Sequence, residues 1–437
     1  MRRAGPALGA CSLLAVPATA QAEDFTVTNL ADDGNGSLRD AIDDANAAGG
    51  ADRILFASKL SGTINLSDEL YISDALQIVG PGARVLTVRA LDDHAFAANA
   101  FDELSISGLS ITALAGSGIY STIGDLEVER STLSGSDGRG IFFAEGDLSV
   151  RNSTVSDNVS SGVGVRYGVA TVENSTVSGN GTGGFFGAGI NLYQSVLERL
   201  ESSTLVANNA GFYPGGGVYA YQSTVEDVTG SIVAGNVSSD GSDVAAINSV
   251  FEDVGFSLIG DPGNVGITSS GGNRIGVNPN LSPLRDNGGP TNTHAIGKNS
   301  PAKNAGPTSG APGTDQRGAP RKGRADIGAY ELVKCKGIEV DVVGTSGKDR
   351  LRGDGTVNGI LGLGGADKLI GLQNRDALCG SGGKDKLIGG NGRDKLLGGG
   401  GKDLLKGGKA ADKLNGGPGN DRCVPGGGPG NDKLKSC

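Results

Sequence analysis

The sequence predicts an all-β chain in which a long solenoid of short stacked strands is entered through one capping helix and followed by a second, finer solenoid. Three observations carry this expectation. Apolar residues between Leu104 and Asn236 recur in columns 22 to 28 residues apart, and from Asp349 to Asp421 an Asp or Asn recurs every nine residues. The 437 residues include 78 glycines and no tryptophan, and runs suited to long helices are few.

In the body, Ile111, Leu133, Val155, Val177, Leu205 and Val233 fall in one column, with spacings of 22, 22, 22, 28 and 28. Ile106, Val128, Val150, Val172, Leu200 and Val228 form a second column, and Ile119, Ile141, Val163, Ile190 and Val218 a third. Fixed periods of this size mark a solenoid, and the apolar–polar alternation around each column marks strands with one buried face. Stacking coils at about 4.8 Å pairs each backbone with the next, and each inward side chain contributes roughly 1.5–3 kcal/mol. A fourth column, Asn158, Asn180, Asn208 and Asn236, reads as a structural ladder. Asn tolerates left-handed turn geometry, and its amide can bond to its stacked copy. The pattern resembles the right-handed parallel β-helices.

Residues 1–22 read as a secretory signal: Arg2 and Arg3 open it, an apolar core follows, and Ala20-Gln21-Ala22 offers small residues for cleavage. The stretch Leu8-Gly9-Ala10-Cys11 also resembles a bacterial lipobox, which would make Cys11 a lipid anchor. No later segment approaches the ~18 apolar residues of a membrane span. Residues 23–98 then form an N-terminal cap and first coils, 99–334 the main solenoid with its end module, and 335–437 the second solenoid. Within the cap, a helix is expected over residues 37–47, with Ser37 as N-cap and Leu38, Ile42 and Ala45 on one face. It covers strand edges that would otherwise invite aggregation. Residues 25–91 resemble the N-terminal segment of a family of bacterial secreted β-helix proteins.

The two 28-residue coils carry insertions that place Phe185, Phe186, Phe212 and Tyr213 on projecting loops. Tyr120, Phe142, Tyr193, Tyr219 and Tyr221 fall at outward positions of the third strand. Eleven of the 19 aromatic residues lie between Tyr120 and Tyr221, a concentration that suits a platform for sugar rings. The alternative is that the phenylalanines fold back as loop cores and the tyrosines merely suit a strand surface.

Residues 278–331 contain Asn287-Gly288-Gly289-Pro290-Thr291, Ser300-Pro301-Ala302, Thr314-Asp315-Gln316-Arg317-Gly318 and Asp326-Ile327-Gly328-Ala329-Tyr330-Glu331. This segment is similar to the C-terminal module of the choice-of-anchor Q family, and with the coils the resemblance covers roughly residues 24–332. It implies an exported, surface-associated β-helix and no particular reaction. Asp315, Arg317, Asp326 and Glu331 are expected to close the end of the helix through ion pairs.

In the tail, Asp349, Asn358, Asp367, Asp376, Asp385, Asp394, Asp403, Asp412 and Asp421 each follow a glycine by five residues. Such runs resemble the calcium-binding nonapeptide of repeats-in-toxin proteins. The resemblance implies a calcium-type parallel β-roll with two nonapeptides per coil, and Ca2+ held by Asp367, Asp376, Asp385, Asp394, Asp403, Asp412 and Asp421 together with turn carbonyls. Glycines permit turn conformations closed to other residues. Lys348, Arg375, Lys384, Arg393 and Lys402 beside these aspartates, and Asn374 and Ala410 in place of glycine, depart from the pattern and are expected to lower the affinity. The rival reading is a disulfide-fixed roll whose basic rows meet anionic glycan. Cys335, Cys379, Cys423 and Cys437 admit three pairings in an exported chain. Cys335–Cys379 with Cys423–Cys437 is favoured, because 44 residues would set Cys379 and Cys423 more than two coils apart, beyond the ~7 Å a disulfide spans.

Residues 344–437 hold 16 Lys and Arg against 10 Asp, or +6, and residues 1–343 hold 22 against 38, or −16. The acidic body argues against a nucleic-acid partner. No Ser-His-Asp, zinc or phosphate-binding motif appears, His94 and His294 lie far apart, and the stripe Glu129, Arg151, Glu173 and Glu201 reads as surface ion pairs worth about 0–1 kcal/mol each. The resulting expectation is an exported, monomeric, calcium-binding β-helix protein that binds a polysaccharide or cell-surface glycan as an adhesive structural protein. The alternative is an extracellular polysaccharide lyase or glycoside hydrolase with its site along the aromatic side.

Overall fold

A computed structural model describes residues 22–99, 103–183, 186–267, 270–427 and 432–437. The signal segment up to Gln21, the lipobox cysteine and Phe185 lie outside them. The body is a parallel β-solenoid with three sheets. The first has ten strands, from Asp24–Val27 to Val250–Gly255; the second has eight, from Leu70–Ile72 to Val244–Ile247; the third has ten, from Gly62–Leu66 to Arg274–Ile275. A typical coil contributes Asp147–Arg151, Thr154–Ser156 and Val163–Arg166, one strand to each.

Like sits on like. Ile111, Leu133, Val155, Val177, Leu205 and Val233 are successive register partners in the third sheet. The other two columns stack the same way in the first and second sheets. These side chains form one continuous buried core. The longer coils keep the register because the extra chain leaves the strands at the turns, apart from one residue: Ala170 pairs with Leu197 but Thr171 with Arg199, so Glu198 is bulged out. The helix spans Leu38–Ala48, the Ser37 hydroxyl accepts the Asp40 N–H at 3.1 Å, and Leu38, Ala41, Ile42 and Ala45 are buried.

Asn158, Asn180, Asn208 and Asn236 form a buried ladder whose amide Nδ2 atoms donate to the next Oδ1 at 2.8–2.9 Å, ending on Asp243 Oδ1. Each Oδ1 also accepts the preceding Asn N–H. The ladder residues are not themselves left-handed: that conformation falls on the residue before each, Asp157, Gly179, Ala207 and Gly235, with φ from 56° to 72°. A second ladder had no apolar column to reveal it. Ser131, Ser153, Ser175, Ser203 and Ser231 each pass their N–H to the next serine Oγ, the last of these being Ser257. Replacing Asn180 by Ala strips partners from buried groups on both neighbouring coils, each costing about 1–3 kcal/mol. The expected loss of about 3 kcal/mol is read by denaturant unfolding, and a loss below about 0.5 kcal/mol would show the ladder dispensable.

The segment after the coils departs from expectation. It does not close the end of the solenoid but lies along the outer face of the third sheet. Gln316 Nε2 donates to Ser153 O, Thr154 Oγ1, Thr291 Oγ1 and Asn292 O, and its Oε1 accepts from Thr176 Oγ1. Asn174 Nδ2 donates to Thr314 O, and the Ala329 N–H to Thr204 Oγ1. Hydroxyls of Thr154, Thr176 and Thr204, in one outward row of that sheet, are therefore receptors for a flanking strap. Inside the strap, Arg317 and Asp315 form an ion pair at 2.8 Å with no exposed side-chain surface, and Arg321 pairs with Glu331 at 3.1 Å.

The roll follows as two parallel sheets, one of six strands from Val342–Val343 to Lys433–Lys435 and one of five from Arg350–Arg352 to Arg422–Val424. Its interior is mainly a single file, Ile360, Leu369, Leu378, Leu387, Leu396, Leu405 and Leu414. Such a thin core needs help from metal or disulfides. The structure has Cys335–Cys379 and Cys423–Cys437 disulfides; the first ties the hairpin of Lys334–Cys335 and Ile338–Glu339 to the roll strand Ala377–Gly382.

Candidate calcium rows and glycan groove

In each nonapeptide the Asp sits at the start of a short strand, where the strand's backbone ladder fixes one carboxylate oxygen. Oδ1 of Asp367, Asp376, Asp385, Asp394, Asp403, Asp412 and Asp421 accepts the N–H of the residue 18 positions earlier, at 2.8–2.9 Å. Oδ2 of the same seven residues is buried and has no hydrogen-bond partner. Asp349 differs, since its Oδ2 accepts from the Thr345 N–H and hydroxyl. Burial is the first cause that pushes up Asp367, Asp376, Asp403 and Asp412, and it raises Asp385 to about 6 and Asp394 to about 7. Buried, acceptor-only oxygens stacked coil over coil leave an unmet need for positive charge, and hard oxygen donors match calcium.

The glycine five residues before each Asp has a reason the sequence did not reveal. Its φ is not left-handed; a Cβ at Gly380, Gly389, Gly398 or Gly407 would instead collide with the Oδ2 of Asp385, Asp394, Asp403 or Asp412. Left-handed geometry falls four and two residues before the Asp, as at Gly390 (φ 113°) and Gly392 (φ 133°) for Asp394. Asn374 and Ala410, which replace glycine, adopt it too, with φ of 69° and 83°. The basic neighbours Lys348, Arg375, Lys384, Arg393 and Lys402 are exposed. Among the described residues none of the roll's Lys or Arg side chains forms an ion pair.

The second sheet carries the aromatic residues. Tyr71, Ala97, Tyr120, Phe142, Gly164, Asn191 and Tyr219 occupy one outward row, and Arg166, Tyr193 and Tyr221 a second. Rings stack along them: Tyr120 on Phe142 at 4.7 Å, and Tyr193 on Tyr221 at 5.2 Å. The insertion of the first long coil folds back, held by Asn191 Nδ2 donating to Phe186 O at 2.8 Å. Phe186 then packs on Tyr213 at 4.5 Å and on Tyr219 at 5.3 Å. Phe142, Phe186, Tyr193, Tyr219 and Tyr221 thus line one cleft of about 350 Å³. Tyr219 faces outward as a strand residue yet is covered by Phe186 and only 6% exposed. Tyr213 supports the wall from behind, whereas Phe212 stands away from the cleft, 94% exposed.

The aromatic count missed what else lines this side. Tyr167 joins Tyr193 edge-on at 5.8 Å, and Arg139 and Arg166 enter the cleft. His94 extends the ring row by stacking on Tyr120 at 4.5 Å. Its Nδ1 accepts the Ser117 N–H at 2.8 Å, so the neutral ring carries its proton on Nε2, toward Asp93 and Glu69. Although the three side chains converge within 4.8 Å, that tautomer offers a donor rather than a metal-binding lone pair. Burial, then the charge of Asp93, raises the Glu69 carboxyl. The stripe of charges lies on the first sheet, remote from the cleft's lining, with Arg151 4.0 Å from Glu173.

Fold and rows together define a calcium-binding, all-β parallel solenoid. Residues 94–280 match the family model described as right handed beta helix region. The RTX calcium-binding nonapeptide repeat matches in four copies, at residues 360–387, 380–409, 388–423 and 397–434, and such repeats bind calcium. Among solved structures the chain is similar to pectate lyase Pel9A, at 14% identity and a TM-score of 0.35, covering 72% of this chain and 98% of that one. It is also similar to the PL6 family alginate lyase AlyGC, at 10% identity and a TM-score of 0.20, covering 94% and 78%. No curated protein matches. Among the described residues no helix is long and apolar enough to cross a membrane.

Proposed function

We propose that this is an exported, surface-associated β-helix protein that binds polysaccharide along the second sheet, with a calcium-loaded roll at its C-terminus. The observation that carries the glycan reading is the ring-lined cleft of Phe142, Phe186, Tyr193, Tyr219 and Tyr221 on a rigid sheet, since sugars present apolar faces that stack on such rings. Asp367, Asp376, Asp385, Asp394, Asp403, Asp412 and Asp421 would hold the calcium, whose chemistry there is to neutralise facing carboxylates and join successive coils. The strap contains residues 278–331, the part that resembles the choice-of-anchor Q module, and that resemblance is what supports a surface-associated, adhesive role. The alternative of an extracellular lyase or hydrolase places its site in the same cleft.

The test is retention of the full chain on a panel of acidic and neutral polysaccharides in calcium, with product analysis of the same incubations. Tyr193→Ala with Tyr221→Ala should weaken retention roughly tenfold, at about 0.5–1.5 kcal/mol per ring pair beyond lost area, while leaving the circular dichroism of the coils unchanged. Appearance of new reducing or unsaturated ends would reject the binding-only reading.

A further inference from the structure

The cleft that holds the rings also holds two cations without counter-charges. Arg139 lies across Gly164, where a Cβ would stand 2.7 Å from both its Cδ and its Nε; the missing side chain at position 164 is what makes room for the guanidinium. Its Cζ sits 5.3 Å from the centroid of Phe142. Arg166 is held between rings, its Cζ 5.1 Å from the centroids of both Tyr167 and Tyr193. Neither makes an ion pair among the described residues, and Arg139 Nε is buried with no hydrogen-bond partner. Burial lowers Arg139; Tyr120 opposes the shift, and the neighbouring charge of Arg166 adds to it.

Arg139 is half-buried and Arg166 exposed, and among the described residues ring faces rather than carboxylates lie against these two like charges. Ring contact holds each guanidinium while leaving N–H groups for a ligand, the Arg166 Nη2 donating among the described residues only to the Tyr167 hydroxyl, at 3.5 Å. A planar anion that accepts two parallel hydrogen bonds fits such an edge, and a carboxylate is that anion. Resting on the reading of this cleft as a glycan groove, we propose that its ligand is an acidic polysaccharide, a polymer of uronic-acid type whose carboxylates are taken by Arg139 and Arg166 while its ring faces lie on Tyr193 and Tyr221. The body around the cleft works against non-specific attraction, because residues 1–343 carry a net charge of −16 that opposes a polyanion; the basic roll, at +6 over residues 344–437, contributes no residue to the cleft's lining.

The experiment compares a uronate oligosaccharide with the same oligosaccharide after reduction of its carboxyl groups to alcohols, by calorimetry on the full chain in calcium. The wild type should lose at least about tenfold in affinity on carboxyl reduction, as charge-assisted hydrogen bonds require. Arg139→Gln with Arg166→Gln should bind both forms within about twofold of each other. Gly164→Ala keeps both charges but displaces Arg139, and should shrink the preference in the same direction, which separates placement from charge. If the wild type binds both forms equally, or the arginine variants keep the full preference, the proposal fails while the glycan reading stands. If neither form binds and the Tyr193→Ala, Tyr221→Ala protein is indistinguishable from wild type on the whole panel, both fail together.

Discussion

Chelating calcium from the full chain is expected to destabilise the roll and leave the coils unaffected, so that the roll melts in a separate transition at lower temperature than in the loaded protein. The reason lies in the seven unpartnered Oδ2 atoms: without a cation, stacked carboxylates desolvate charge around a core only one side chain wide. Each site held at about 100 times its dissociation constant adds about 2.7 kcal/mol to folding. Acidity separates this from a general salt effect. Asp385 and Asp394 are raised to about 6 and about 7 in the folded, metal-free roll, against about 3.9 when unfolded. Between these values the unfolded chain has released protons that the folded roll still holds. Metal-free stability should therefore be greatest below about pH 4 and fall as pH rises toward about 7. Calcium competes with those protons, so its affinity should rise across the same window. Differential scanning calorimetry with and without calcium from pH 4 to 8 reads both trends, and Asp394→Asn with Asp403→Asn should blunt both. A roll whose melting ignores calcium at every pH would refute the assignment of these residues.

Replacing Arg317 by Ala is expected to cost about 3–5 kcal/mol and to release the strap from the third sheet. Arg317 Nε and Nη2 donate to Asp315 Oδ2 at 3.0 and 2.8 Å, Nη1 to Asn287 O at 3.2 Å, and Nη2 also to Glu331 O at 2.7 Å. Its Cζ lies 3.6 Å from the centroid of Tyr330. Truncation leaves the Asp315 carboxylate buried without its cation, a larger penalty than loss of the pair itself would be. Limited proteolysis should then cut between residues 278 and 333 while the coils resist. Arg317→Lys should recover little, because an ammonium cannot serve Asp315, Asn287 and Glu331 at once. If the strap stays protease-resistant in Arg317→Ala, the ion pair is not what holds it.

How much was legible followed from how each contact is made. Column residues such as Val155 and Val177 meet their own equivalents one period away, so spacing alone predicts the register, and the 28-residue coils obeyed it because their excess loops out at the turns. The single bulge at Glu198 was invisible, since one extra residue leaves the alternation on either side intact. In the roll, a period of nine with an Asp in phase identified seven carboxylates that the fold stacks in two rows, Asp367, Asp385, Asp403 and Asp421 in one and Asp376, Asp394 and Asp412 in the other. The role of the preceding glycines was misread, because only coordinates show that the Asp385 Oδ2 occupies the place of a Gly380 Cβ.

The groove was half legible. Outward phase correctly grouped Tyr120 with Phe142 and Tyr193 with Tyr221, but Arg166, which shares the column of Tyr193 and Tyr221, escaped a search for aromatic residues, and Arg139, Tyr167 and His94 reach the same face from outside the strands. The strap was expected at the end of the helix and lies along its side instead: it does not repeat, and its hold on Thr154, Thr176 and Thr204 joins residues more than a hundred positions apart. The sequence by itself determined the two periods, the inward columns, the capping helix and the phase of the aspartates, since in a solenoid these depend only on what lies one coil away. Tertiary structure alone decided which loop folds back over the rings, where two unpaired guanidiniums meet, and which face the strap covers, because those contacts join segments that share no period and are chosen by shape and by the need to pair buried polar groups.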